Sequence, residues 1–261
     1  MPRSSAGRPR SSRIAHGDSE SARSRCGHVR KPLVVGNWKM NTTQQEATIL
    51  TRSVVDSVSA YAASVEVVLL PPFPWLTDIA RLLPGSAVAL GAQNMHTESG
   101  GAYTGEVSPR MLKGLCRYVL VGQYERRILF SERDAIVRRK LHSAQQHGLR
   151  PVVGEQIEAD LEGANLQESL VIAYDPAWTT MGLVAPPPLD YVGKVISHIR
   201  DTLSSLFSSS LAQETRLIYG GSVNLRNIAE IAALPDVDGV LAGTASLNAD
   251  NFAALVRAFA Q

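Results

Sequence analysis

Pro32-Leu33-Val34-Val35-Gly36-Asn37-Trp38-Lys39 sets a pattern that the rest of the chain repeats: a short aliphatic run, a turn former, then polar residues. Seven further runs follow, at residues 65–70, 87–90, 118–121, 151–153, 170–174, 216–219 and 239–242, each bounded by Gly, Pro, Asn or Asp. Runs this short and continuously apolar fit strands buried on both faces, as in a parallel sheet covered by helices. Stretches with helical spacing lie between them, at 42–63, 131–147, 190–207, 224–233 and 249–259. Thr42 and Thr43 are available to cap the first, and Gly148 to end the second. Eight strand–helix repeats predict an α/β fold, a closed (β/α)₈ barrel forming a single domain. An open doubly wound sheet shares the pattern. No Gly-x-Gly-x-x-Gly turn follows the first run, which weighs against a dinucleotide fold. Between Gly154 and Leu170 there is room only for a brief crossover, so a shortened fifth β/α unit is expected.

The 261 residues carry a formal net charge of +2, which calls for neither nucleic acid nor an anionic membrane as partner. Residues 1–30 hold seven arginines against Asp18 and Glu20, and no apolar run. Such a segment cannot bury enough surface to offset its chain entropy. Residues 1–30 are therefore expected to be a disordered basic extension, and 31–261 the barrel. Without an apolar segment the extension is no secretory signal. Its Arg- and Ser-rich character also matches an organellar transit peptide, but a plain extension or a misplaced start codon is the simpler reading. No run approaches the ~18 apolar residues of a membrane span. Cys26 and Cys116 make neither a disulfide framework nor a metal cluster. A cytoplasmic enzyme is the default expectation.

In α/β barrels the chemistry sits just past the strands. Lys39, behind the first run, puts a cation at the barrel mouth, although a lysine there also fits a plain surface position. Behind the fourth run come Gln123, Tyr124 and Glu125, then Arg126 and Arg127; the carboxylate is placed either in an ion-pair network or to hold Lys39. Asp175, directly behind the sixth run, is a candidate general base, with a turn former before Pro176 as the alternative. The stretch from Thr179 through Met181, ahead of Pro186-Pro187-Pro188, has the make-up of a lid with a stiff exit. Gly220-Gly221-Ser222 and Gly243-Thr244 follow the last two runs, where exposed main-chain N–H groups can cradle a phosphate.

Together these residues resemble triosephosphate isomerases across nearly the whole body. The likeness rests on Val35 to Asn41, Gly91-Ala92-Gln93-Asn94, Gly105 to Pro109, Glu125-Arg126-Arg127, Tyr174 with Pro176 and Trp178, Tyr219 to Ser222, and Asp236 to Gly239. The resemblance implies a TIM barrel that interconverts dihydroxyacetone phosphate and glyceraldehyde 3-phosphate through an enediol, without cofactor or metal. A glutamate base and a neutral histidine electrophile do this chemistry in the family, itself a standard illustration of pKa tuning. Carried over, Asn37, Trp38 and Lys39 meet the substrate, Glu125 partners the lysine, and Met181, Ser222, Gly243 and Thr244 line the phosphate. The resemblance also implies a homodimer through the loop from Met95 to Thr104.

Two positions depart. Asp175 stands where the family has its glutamate, and Gln123 where it has its histidine. Asp sets the carboxylate back by one methylene, ~1.5 Å, and a ~1 Å misplacement can cost ~10²-fold. Gln can donate an N–H to an oxyanion but cannot relay a proton as imidazole does. Impaired isomerase activity is therefore expected. Two alternatives stay open: a catalytically inactive barrel that binds phosphorylated ligands, and another aldose–ketose isomerase on the same frame. Tyr124 is expected to fill the space left by Asp175 and to bond its carboxylate.

Overall fold

The computed structural model describes residues 30–154, 161, 170–176 and 185–260. Eight parallel strands close a barrel in sequence order. They are β1 (Leu33–Asn37), β2 (Glu66–Leu70), β3 (Val88–Ala92), β4 (Tyr118–Val121), β5 (Arg150–Val153), β6 (Val171–Tyr174), β7 (Arg216–Tyr219) and β8 (Gly239–Ala242). Closure is made by β1 pairing with both β2 and β8, Val34 lying opposite Val67 and Val240. The open-sheet alternative is thereby excluded.

The strands read as continuous apolar runs because each has two buried faces. Val35, Leu70, Leu120, Val152, Ala173 and Ile218 pack in the barrel interior. Their neighbours Val34, Leu69, Val121, Val153, Ile172 and Leu217 pack outward under the helices. The two-residue period of the strand makes this division.

The helices are α1 (Gln44–Val58), α2 (Leu76–Ala80), α3 (Pro109–Leu112), α4 (Tyr124–Leu129), α5 (Asp134–Gln146), α6 (Leu189–Leu206), α7 (Ser209–Glu214), α8 (Ile228–Ala232) and α9 (Ala249–Ala258). Thr43 caps α1 in a capping box with Glu46. Gly148 lies just past α5 with φ +75°, as a C-terminal cap glycine requires. The helix expected over 131–147 is α5, and a further short helix, α4, precedes it. Glu132, between them, takes hydrogen bonds from Arg126 (2.6 Å) and Lys140. Burial alone pushes the Glu132 carboxyl up, but these two cations outweigh it and hold it below its usual range.

The N-terminal end of the barrel is plugged by charge. Glu66 pairs with Arg216 (2.7 Å) and Arg117 (3.1 Å), and Arg216 donates to the Tyr118 hydroxyl (2.8 Å). Arg30, counted with the basic extension on sequence grounds, belongs to the barrel instead. Its Nε donates to Asp238 (2.7 Å) and its Nη1 to the Gln213 carbonyl (2.8 Å). The remainder of the extension, and the fifth-unit segment 155–160 and 162–169, lie outside the described residues. No described helix is long and apolar enough to cross a membrane.

Candidate active site

Asn37 is the last residue of β1 and faces inward in step with Leu33 and Val35. Its Oδ1 accepts from the Lys39 main-chain N at 3.0 Å. Lys39 itself has φ +51°, the left-handed region that a side chain enters at a cost. Gln93, just past β3, holds it there: its Nε2 donates to the Lys39 carbonyl (2.9 Å) and the Leu70 carbonyl (2.8 Å). The strained turn aims the Lys39 ammonium at Glu125, with which it forms an ion pair. The carboxylate beside the two arginines, Glu125, thus partners Lys39. Gln93 stands in a stretch that carries the resemblance but has no site role in the sequence reading, although a polar residue first past a buried strand is a signal for one.

Asp175 leaves β6 on the inward face shared with Ala173 and is 5% exposed. It lies against the β7 exit: a Cβ added to Gly220 would come within 2.9 Å of the Asp175 Cβ. That close approach is why glycine serves there. Burial, and then the Asp175 charge, push the Tyr219 hydroxyl up to about 12, so it stays a neutral phenol beside the carboxylate.

Gln123 caps the exit of β4, is 6% exposed, and donates from Nε2 to Asp175 Oδ2. Its Oε1 is buried without a hydrogen-bond partner. The expected partner of Asp175 was Tyr124. That tyrosine is the half-buried first residue of α4, and the side chain seen to bond Asp175 is its neighbour Gln123. Gly154, past β5, lets the main chain at the β4 exit approach closely, since a Cβ there would meet the Gly122 carbonyl at 2.6 Å.

Beside this pair opens a cleft of about 580 Å³. Asn37, Lys39, Ser222, Gly243 and Thr244 line it, together with Asn224 and Asn251, which sequence reading did not single out. The cleft joins one cation to two glycine-bearing loops, a setting suited to a phosphate group. Trp38 is a correction. It is fully buried with its ring in the helix-packing layer, because it points opposite to Asn37 and Lys39, so it does not line the cleft. Met181 lies outside the described residues. His96 stacks on Tyr103 at 4.2 Å and accepts from the Glu98 N (3.1 Å), engaged within its own loop.

A closed eight-stranded barrel with inward charges and glycine loops at the C-terminal ends of its strands defines a (β/α)₈ enzyme frame. The sequence profile of triosephosphate isomerase matches residues 32–259. The triosephosphate isomerase of Carboxydothermus hydrogenoformans is 41% identical over 251 residues, covering 88% of this chain and 99% of that protein. That of Chloroflexus aurantiacus is 41% identical over 249 residues, covering 87% and 99%. The crystal structure of triosephosphate isomerase from Bartonella henselae superimposes with a TM-score of 0.78 at 31% identity, covering 88% of this chain and all of that one. The chain belongs to the triosephosphate isomerase family.

Proposed function

We propose that the chain is a triose-phosphate isomerase that interconverts dihydroxyacetone phosphate and glyceraldehyde 3-phosphate through an enediol, at reduced turnover. The carrying observation is Asp175, a buried carboxylate at the exit of β6, beside a cleft bearing Lys39 and the two glycine loops. In this reading Asp175 removes the proton next to the carbonyl. Lys39, held by Glu125, and Asn37 attract and orient the anionic substrate, and Ser222, Gly243 and Thr244 seat the phosphate. Gln123 stands at the electrophile position without a transferable proton, which supports reduced turnover. No step needs a cofactor or a metal.

The deciding measurement is kcat/KM for glyceraldehyde 3-phosphate on purified protein beside Asp175→Ala. A fall of roughly 10²–10⁴-fold in the variant is expected for loss of the base. Equal rates in both would remove the isomerase reading and leave a phosphate-binding barrel.

The protein is further proposed to work in the cytoplasm as a homodimer through the loop from Met95 to Thr104. Met40, Tyr103, Ile128, Leu129 and Phe130 expose large apolar side chains around the mouth and its loops, a concentration that suits a covering partner. Light scattering should give twice the chain mass, and Tyr103→Asp should lower it toward one chain.

A further inference from the structure

We infer that Gln123 is a positioning residue that holds the Asp175 carboxylate ionised and aimed, rather than an imperfect stand-in for an electrophile. This rests on the reading of Asp175 as the base. An ionised carboxylate only accepts hydrogen bonds, so the end of the carboxamide facing Asp175 must be its NH₂. The other end, Oε1, is buried and has no donor. The amide's described hydrogen bonding at this site is therefore its N–H bond to Asp175. Both side chains are more than nine-tenths buried. There, a hydrogen bond to the charged form counts for more than it would in water.

The bond also restricts geometry. Asp175 has Gly220 at its back, with space closed to 2.9 Å for any added Cβ, and Gln123 in front. A shorter acid needs such a bracket, because its carboxylate cannot lean on reach alone. Gln123 and Asp175 come from β4 and β6, with β5 between them, so the bracket also ties two non-adjacent strands at the mouth. The two departures from the family pattern therefore meet in a single hydrogen bond.

Tyr219 from β7 lies close enough to feel the Asp175 charge, and the Lys39–Glu125 ion pair is a further pair of titratable groups at the mouth. Tyr219 remains neutral over the working range. Glu125 is a second carboxyl, so a kinetic pH profile alone does not identify the titrating group. Carboxyl carbon NMR of the full chain does, with the Asp175 signal assigned by its loss in Asp175→Asn.

The experiment compares wild type with Gln123→Met, which keeps the length and removes the donor, and Gln123→Glu, which replaces the donor with a second carboxyl. The Asp175 titration is expected to move up by about one pH unit in Gln123→Met. It should move further in Gln123→Glu, where two carboxyls share the space. The acidic limb of kcat/KM should move with it, while KM changes little. A titration unmoved in both folded variants would overturn the inference. A role in packing alone would lower the melting temperature without moving the titration. If the variants do not fold, wild type still decides: the Gln123 side-chain amide resonances must titrate at the Asp175 midpoint, and amide resonances flat across it overturn the bond. These readouts need no turnover, so absence of isomerase activity leaves them standing, whereas an unmoved titration in an active enzyme defeats the bracket alone.

Discussion

The two ends of the barrel are both charged, and they use charge in opposite ways. At the N-terminal end Glu66 sits between Arg216 and Arg117, and Asp238 between Arg30 and Arg200. Polar atoms there without a hydrogen bond, Glu66 Oε1 and Arg200 Nε, still lie within ion-pair reach of Arg117 (3.1 Å) and Asp236 (2.7 Å). At the C-terminal end the Gln123 Oε1 is buried with no hydrogen-bond partner, and Lys39 sits in a strained turn. The base spends its charges on each other; the mouth keeps polar capacity in reserve for a ligand. Stability and chemistry are thus separated along the barrel axis, as expected of this architecture.

Substitutions at the two ends should therefore fail in different measurements. Outside the catalytic side chains themselves, the largest effect is expected from Gly220→Ala. The new methyl presses on the Asp175 Cβ and Cγ, at 2.9 and 3.2 Å, and moves the carboxylate. A kcat loss of about 10²-fold is expected, with the fold retained; unchanged kcat would mean that Asp175 placement is not critical. At the other end, Glu66→Gln leaves Arg216 and Arg117 without their shared carboxylate. The side chains are 12–14% exposed for Arg216 and Glu66, so the penalty for a fully buried pair is discounted to about 1–3 kcal/mol. That corresponds to about 3–10 °C in Tm for a domain of this size. Its kcat/KM should stay within about twofold, since the change touches no mouth residue; a large kinetic loss with an unmoved Tm would contradict the division. The smallest effect is on the pH dependence of stability. Glu66 and Glu132 both titrate below the ordinary value of 4.5 in the folded state. Their contribution is present above the unfolded value and is lost as pH falls through the folded one. Wild-type Tm should drop below pH 4.5, and more shallowly in Glu66→Gln; parallel curves would show that the pair contributes nothing to acid sensitivity.

Much of the frame was legible because strands buried on both faces leave a continuous apolar signature, and the caps at Thr43 and Gly148 punctuate it. The cleft was legible through the glycine loops and Lys39, each placed directly behind a strand. What escaped depends on side-chain direction and closure. Trp38 sits between two inward residues and so points outward, a parity that a motif reading passes over. Gln123 and Asp175 are 52 positions apart, and the bond between them exists only once the barrel has closed around β5. The bulk and hydroxyl of Tyr124 are visible in a sequence and suggest a partner for Asp175, whereas the turn from β4 into α4 is not visible.

The left-handed turn at Lys39 has a further consequence for how this mouth can change over generations. Glycine or asparagine would occupy that conformation with less strain, so random substitution that relaxes the backbone is also substitution that discards the ammonium. Selection for heat tolerance alone would erode the site from this residue outward.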